Sequence, residues 1–270
     1  MSDAQPPESI SAHNERALQQ LAWAIEASLG KFKLFVARCN YTELRSRLIE
    51  RLQVLTEVNI RVLHLQEPER TLYATIRRKL GEEQPGALMV CGLENVSDIE
   101  HLLTATNQVR EEFRNNFHFP LVLWVTDKVF NKLMQFAADF ESWATTVTFT
   151  ISTGDLIAFI KQKAEHFFAG NLTLDLEDCP EIKQAYHDLP SREQVLDLEL
   201  NANIKSLLGL VEYLDNNLDL ALYYYQQALA HWRENHNLDN NLERQGKILQ
   251  EITFSYYLKA REYQDIAVLT

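Results

Sequence analysis

Long hydrophobic runs are missing from this sequence. Apolar stretches such as Phe119 to Val125 are short, against the roughly 20 residues a membrane-spanning helix needs. The opening Met1-Ser2-Asp3-Ala4-Gln5-Pro6-Pro7-Glu8 has neither a basic start nor an apolar core, so no secretory signal is expected. Cysteine is scarce: Cys39, Cys91 and Cys179 form no C-x-x-C pair, which argues against a disulfide framework and a zinc site. The eight histidines include no H-x-x-x-H or H-E-x-x-H spacing, and no G-x-S-x-G elbow occurs. These absences predict a cytoplasmic chain with no membrane contact, no resident metal and no catalytic residues of a familiar pattern.

Cations are also in short supply. There are 26 Lys+Arg against 38 Asp+Glu, a net charge of −12. Such a chain is a poor general nucleic-acid binder, because phosphate contacts need clustered positive charge. The imbalance is local, however. Residues 31–80 carry eleven Lys/Arg and five acids, whereas residues 171–200 carry eight acids and two bases. Two solvated faces of opposite sign explain this; a basic face turned to an acidic ligand or to the acidic segment is the sharper reading.

What is present is a globular composition, 46% apolar and 24% charged over 270 residues, enough for one or two domains. Up to about residue 168 the pattern alternates. A helix over Ser11–Leu29 stops at Gly30. Apolar or β-prone runs follow at Phe32–Ala37, Val58–Leu65, Ala87–Cys91, Pro120–Thr126 and Thr146–Ile151, separated by helical stripes. One stripe runs from Ile99 to Phe113, with Ser97 and Glu100 at capping-box spacing before it. A helix over Asp155–Phe168 closes the region. Alternation of this kind predicts an α/β fold with a five-stranded, mainly parallel sheet covered on both faces, and it directs the search for chemistry to the carboxyl ends of the strands.

Those ends lack phosphate-binding equipment. No glycine occurs between Gly30 and Gly81, so the first strand runs through Arg38-Cys39-Asn40-Tyr41-Thr42 into its helix without a G-x-x-x-x-G-K-[ST] loop. Cys91 stands where an Mg²⁺-holding carboxylate would end the third strand, and Glu94 follows three residues later. Cys39 is no reactive thiol on this reading, since no base lies near it in sequence.

The basic helix after the first strand, the run Leu88-Met89-Val90-Cys91-Gly92-Leu93-Glu94 and the run Leu121-Val122-Leu123-Trp124-Val125-Thr126-Asp127 resemble the core of a STAND/AAA-type P-loop NTPase. The resemblance spans about residues 15–168. It implies strand order 5-1-4-3-2, a sensor position at Thr126, and, since both nucleotide motifs are missing, a degenerate pseudo-NTPase domain without bound cofactor.

Gly170 to Arg192 is acidic and holds Pro180 and Pro190, so it reads as a linker. After it, Gly209 is followed by Ala221, Tyr225 and Ala228 at offsets of 12, 16 and 19, which resembles a tetratricopeptide repeat. The inner helix is expected over Ala202–Leu214 and the outer over Leu218–His236, with Tyr225 filling the gap beside Gly209. A looser copy around Leu249, Ile252, Tyr256 and Tyr257 puts Thr253 at the glycine position. Tyr223-Tyr224-Tyr225 and Trp232 read as repeat core with one exposed ring.

The predicted organisation is a P-loop-like α/β domain over 11–169, an acidic linker over 170–192 and a tetratricopeptide-like helical segment over 193–270. The expected function is non-catalytic: a scaffold or regulator that binds another protein or peptide along a groove lined by Asn201, Lys205 and Glu212. The alternative is a signalling NTPase with Arg45 or Arg47 on phosphates and Glu94 as the acid, or an anion switch at the Asn40–Thr42 helix start.

Overall fold

The computed structural model describes residues 10–170, 178–189, 198–234 and 241–269, the side chains of 178 and 262–269 excepted. The chain divides into two compact units, the first ending at Ser152 and the second beginning at Thr153.

The first unit runs α1 (Ile10–Glu26), β1 (Lys33–Arg38), α2 (Thr42–Leu55), β2 (Ile60–His64), α3 (Leu72–Leu80), β3 (Ala87–Cys91), α4 (Ile99–Gln108), α5 (Arg110–Asn116), β4 (Pro120–Val125), α6 (Asp127–Phe136), α7 (Ala138–Glu141) and β5 (Ala144–Thr148). All strand pairs are parallel. The order across the sheet is β2-β3-β4-β1-β5, which counted from the β5 edge is 5-1-4-3-2. Alternate residues of each strand feed two cores. Leu34, Val36, Leu88, Val90, Leu121, Leu123 and Val125 meet α3 to α7. Phe35, Ala37, Met89, Cys91, Val122 and Trp124 meet α1 and α2. Both central strands β3 and β4 are buried along their whole length, which is why their sequences lack the polar alternation of half-exposed strands.

Right-handed crossovers account for the layering. The chain leaves β1 toward β2 over one face with α2, then returns through β3, β4 and β5 in the opposite direction, which puts the intervening helices on the other face. Adjacent strands β1 and β4 therefore send their helices to opposite sides. A crevice opens between such strands at their carboxyl ends, the usual ligand position in open α/β sheets.

Local signals were shifted by a residue or two. The helix after β3 is capped by Asp98, whose carboxylate accepts from the His101 amide at 3.1 Å; Ser97, expected in that role, bonds the Glu67 carbonyl instead. The stripe to Phe113 breaks at Val109 into α4 and α5. Gly92 holds φ +80°, and a Cβ there would meet the Leu65 carbonyl oxygen at 2.9 Å, so the turn leaving β3 requires glycine.

The second unit comprises α8 (Thr153–Phe168), α9 (Asp178–Asp188), α10 (Leu198–Leu214), α11 (Leu218–Glu234) and α12 (Asn241–Leu269). Two expectations are corrected. The division falls at Ser152 rather than at 169, because α8 packs with the helices that follow it: Phe168 meets the Trp232 ring edge-on at 5.6 Å. The supposed linker contains α9, which buries Cys179, Ile182, Ala185 and Leu189; its remaining stretches, 171–177 and 190–192, lie outside the described residues.

Helices α10 and α11 form an antiparallel hairpin turned at Asn216, a non-glycine residue with φ +60°. They approach closely at Gly209, where a Cβ would lie 2.4 Å from the Tyr225 ring. The residues of the looser second copy, Leu249, Ile252, Thr253 and Tyr256, lie together on the single helix α12, where Thr253, at the glycine position, is exposed. No described helix is long and apolar enough to cross a membrane.

Candidate functional site

The crevice between β1 and β4 is occupied by the protein's own side chains. Arg38, the last residue of β1, donates from Nε and Nη2 to one oxygen of Asp127 at 3.0 and 2.6 Å. Asn40 closes the other side. Its amide nitrogen donates to the second Asp127 oxygen at 2.9 Å, and its carbonyl accepts the Asp127 backbone N–H at 2.8 Å. The guanidinium also lies 4.4 Å over the Phe130 ring. Thr126 caps α6 by accepting the Val129 amide at 3.3 Å. The residue at the sensor position of the resemblance thus serves a helix end.

Deeper and toward β3, Arg45 points from the first turns of α2 to Glu94, in the 3-10 turn Leu93–Asn95 beyond β3. The Nη1–Oε1 distance is 2.5 Å, and Nη2 donates to Thr42 Oγ1 at 3.2 Å. Arg45 is buried. Burial opposes its charge, but the Glu94 carboxylate outweighs this and holds the guanidinium above its ordinary value. The second Glu94 oxygen is buried without a hydrogen-bond partner among the described residues.

Asp127 shows the same balance. Burial alone would raise its carboxyl, yet the bonds from Asn40 and Arg38 hold it below the usual range. A depressed folded-state value contributes stability that is present above the unfolded carboxylate range, about pH 4, and is lost as pH falls through the folded value. Asp127→Asn should therefore flatten the acid limb of a stability-against-pH curve between about pH 5 and pH 2. An unchanged limb would show that this contact contributes nothing. Cys91, buried at the end of β3, is pushed up to about 11 chiefly by burial, with Arg45 opposing and Glu94 adding to the rise. It is an inert thiol at neutral pH. Cys39 is likewise buried and bonds the Tyr41 carbonyl.

The arrangement contains two guanidinium groups and two carboxylates, each cation spent on an internal anion. Arg45 is unavailable to a phosphate without breaking its pair, and Arg47 is exposed on α2. Among the described residues no group of three His, Cys, Asp or Glu side chains could hold a metal ion. Sequence inspection singled out Arg45, Glu94 and Asn40 individually; it missed Arg38 and Asp127 as partners, which lie 89 residues apart and meet only because β1 and β4 are neighbours.

The predicted groove residues lie in the second unit, and two of the three are engaged from within. Glu212 is buried, 2.8 Å from Lys183 of α9, and it accepts from the Asn217 side chain at 2.8 Å. Lys183 also reaches Asp215 at 2.8 Å. Lys205 donates to the Tyr186 hydroxyl at 3.1 Å and sits 4.5 Å over that ring, with Tyr224 at 5.1 Å. Asn201 is half-buried on α10. At Lys205 and Glu212 the face expected to receive a foreign peptide is thus occupied by α9. The reason is chemical: Glu212 and Asp215 supply the anions, and Lys183 the matching cation. Glu212→Ala should cost about 1–2 kcal/mol and speed amide exchange in α9. An exchange pattern identical to the parent would mean that α9 is not held by this pair.

Compared with models of known protein families and with curated proteins, the chain matches none.

Proposed function

We propose that this chain is a non-catalytic interaction protein, a scaffold or regulator built from a pseudo-NTPase domain resembling the STAND/AAA P-loop core and a tetratricopeptide-like helical segment. One observation carries the reading. The carboxyl ends of β1, β3 and β4, where a nucleotide would be cradled, are filled by the Arg38–Asp127–Asn40 network and the Arg45–Glu94 pair. Strand order and parallel pairing support the P-loop-like half of the proposal. The Gly209–Tyr225 contact between α10 and α11 supports the repeat-like half. A binding role follows from what remains once the chemistry is removed: two compact units whose surfaces, rather than a crevice, are available.

A thermal-shift and ATPase series with ATP and ADP, with and without Mg²⁺, tests it. A nucleotide present at 100 times its Kd would add about 2.7 kcal/mol of stability. The proposal expects no shift and no turnover. Stabilisation that vanishes in an Arg45→Met variant would replace it with a nucleotide switch; turnover lost in Glu94→Gln would replace it with an enzyme.

A further inference from the structure

Over its described side chains, Asn241 to Arg261, helix α12 is inside out. Those it buries there are mostly polar: Asn241, Arg244, Glu251 and Ser255 beside Ile248. On the opposite side stand Leu242, 83% exposed, Leu249 at 44%, Tyr256 at 51% and Tyr257 at 63%. A helix normally turns its apolar stripe inward. The buried polar groups are satisfied: Arg244 pairs with Glu165 and Glu199 and lies over the Trp232 ring, and Glu251 pairs with Lys247. With these polar groups paired inward, the apolar stripe of α12 faces outward.

The stripe has a pattern. Leu242, Gly246, Leu249, Thr253, Tyr256 and Ala260 recur at alternating intervals of four and three residues, the spacing of a helix-pairing seam. Within it, large and small residues alternate. Leu242, Leu249 and Tyr256 are spaced by seven, and so are Gly246, Thr253 and Ala260. Such a seam is self-complementary only when antiparallel. With a two-fold axis beside residue 251, Leu242 falls opposite Ala260, Gly246 opposite Tyr256, and Leu249 opposite Thr253, so each large side chain meets a small one. Space is open at Gly246, where a Cβ would touch nothing within 4 Å. The protein already uses an aromatic ring over a glycine once, at Gly209 and Tyr225. Charge agrees with the same register. Glu243 and Arg261 share one flank of the stripe and are exposed, and the two-fold brings each near the other's counterpart. Tyr256 is steadied at the edge of the seam by Gln226, which donates to its hydroxyl.

We infer that α12 is the interface of a symmetric homodimer, in which two copies of this helix pair antiparallel through the Leu242–Ala260 seam. The contact is isologous, as expected of a two-fold association.

Sedimentation velocity on the full chain, over a concentration series, tests this. The expected species is a dimer of the 31.3 kDa protomer. Gly246→Met fills the notch; since that position is open and methionine favours helix over glycine, the protomer keeps its circular dichroism while self-association weakens by at least about tenfold. Glu243→Arg and Arg261→Glu should each weaken it, and the two together should restore it. A monomer at every concentration overturns the inference, as does a dimer indifferent to Gly246→Met. A charge swap that fails to restore association overturns the antiparallel register.

Discussion

Arg45→Met should destabilise the first unit by about 3 kcal/mol, as breaking a buried ion pair typically does by leaving the partner charge uncompensated. The Arg45 side chain is 8% exposed and Glu94 20%, so the orphaned carboxylate is only partly reached by water. One of its oxygens already lacks a hydrogen bond, and the variant would strip the other. A second variant separates charge from packing. Arg45→Met with Glu94→Leu removes both ions and should recover most of the loss, since replacing a buried pair by apolar groups of similar size is often neutral. Urea unfolding followed by residue-resolved hydrogen exchange in α2 and β3 reads both. A loss below about 1 kcal/mol in the single variant would mean that the pair does not close the crevice, and the case for a filled nucleotide position would go with it.

That pair also shows where sequence reading ends. Strands β3 and β4 were legible because burial on both faces leaves unbroken apolar runs, Ala87–Cys91 and Pro120–Val125. The absence of glycine between Gly30 and Gly81 is plain in the sequence. The ion pairs at the strand ends were not, since Arg38 and Asp127, or Arg45 and Glu94, are matched by strand order rather than by spacing. Helix α9 was hidden by its acids and Pro180, although Ile182, Ala185 and Leu189 recur at helical intervals and are buried. Missing it is why Glu212 was read as a groove residue: it looks like a surface charge until Lys183 is set beside it. The position of α8 was illegible for another reason: an amphipathic stripe says that a helix packs, not against what.

Trp232→Ala should be the most damaging change in the second unit, at about 3–5 kcal/mol. The ring is fully buried and touches three other helices. Its Nε1 donates to Ser206 of α10 at 3.5 Å. Phe168 of α8 meets it edge-on, and the Arg244 guanidinium of α12 lies 4.8 Å over its face. Truncation leaves a cavity bordered by a guanidinium, whose stacking partner is gone while its bonds to Glu165, Glu199 and Asn203 persist. Collapse around the void is therefore limited, which puts the loss at the high end of large-to-small changes. Trp232→Phe keeps one aromatic ring in place but loses the N–H donor and part of the indole volume, so its cost should be smaller, about 1–2 kcal/mol. Amide exchange distinguishes this from damage confined to α11: in Trp232→Ala, protection should fall together in α8, α10, α11 and α12. If α8 kept its protection while the others lost theirs, the ring would not be the shared centre of the unit, and the division at Ser152 would have to move back toward residue 169.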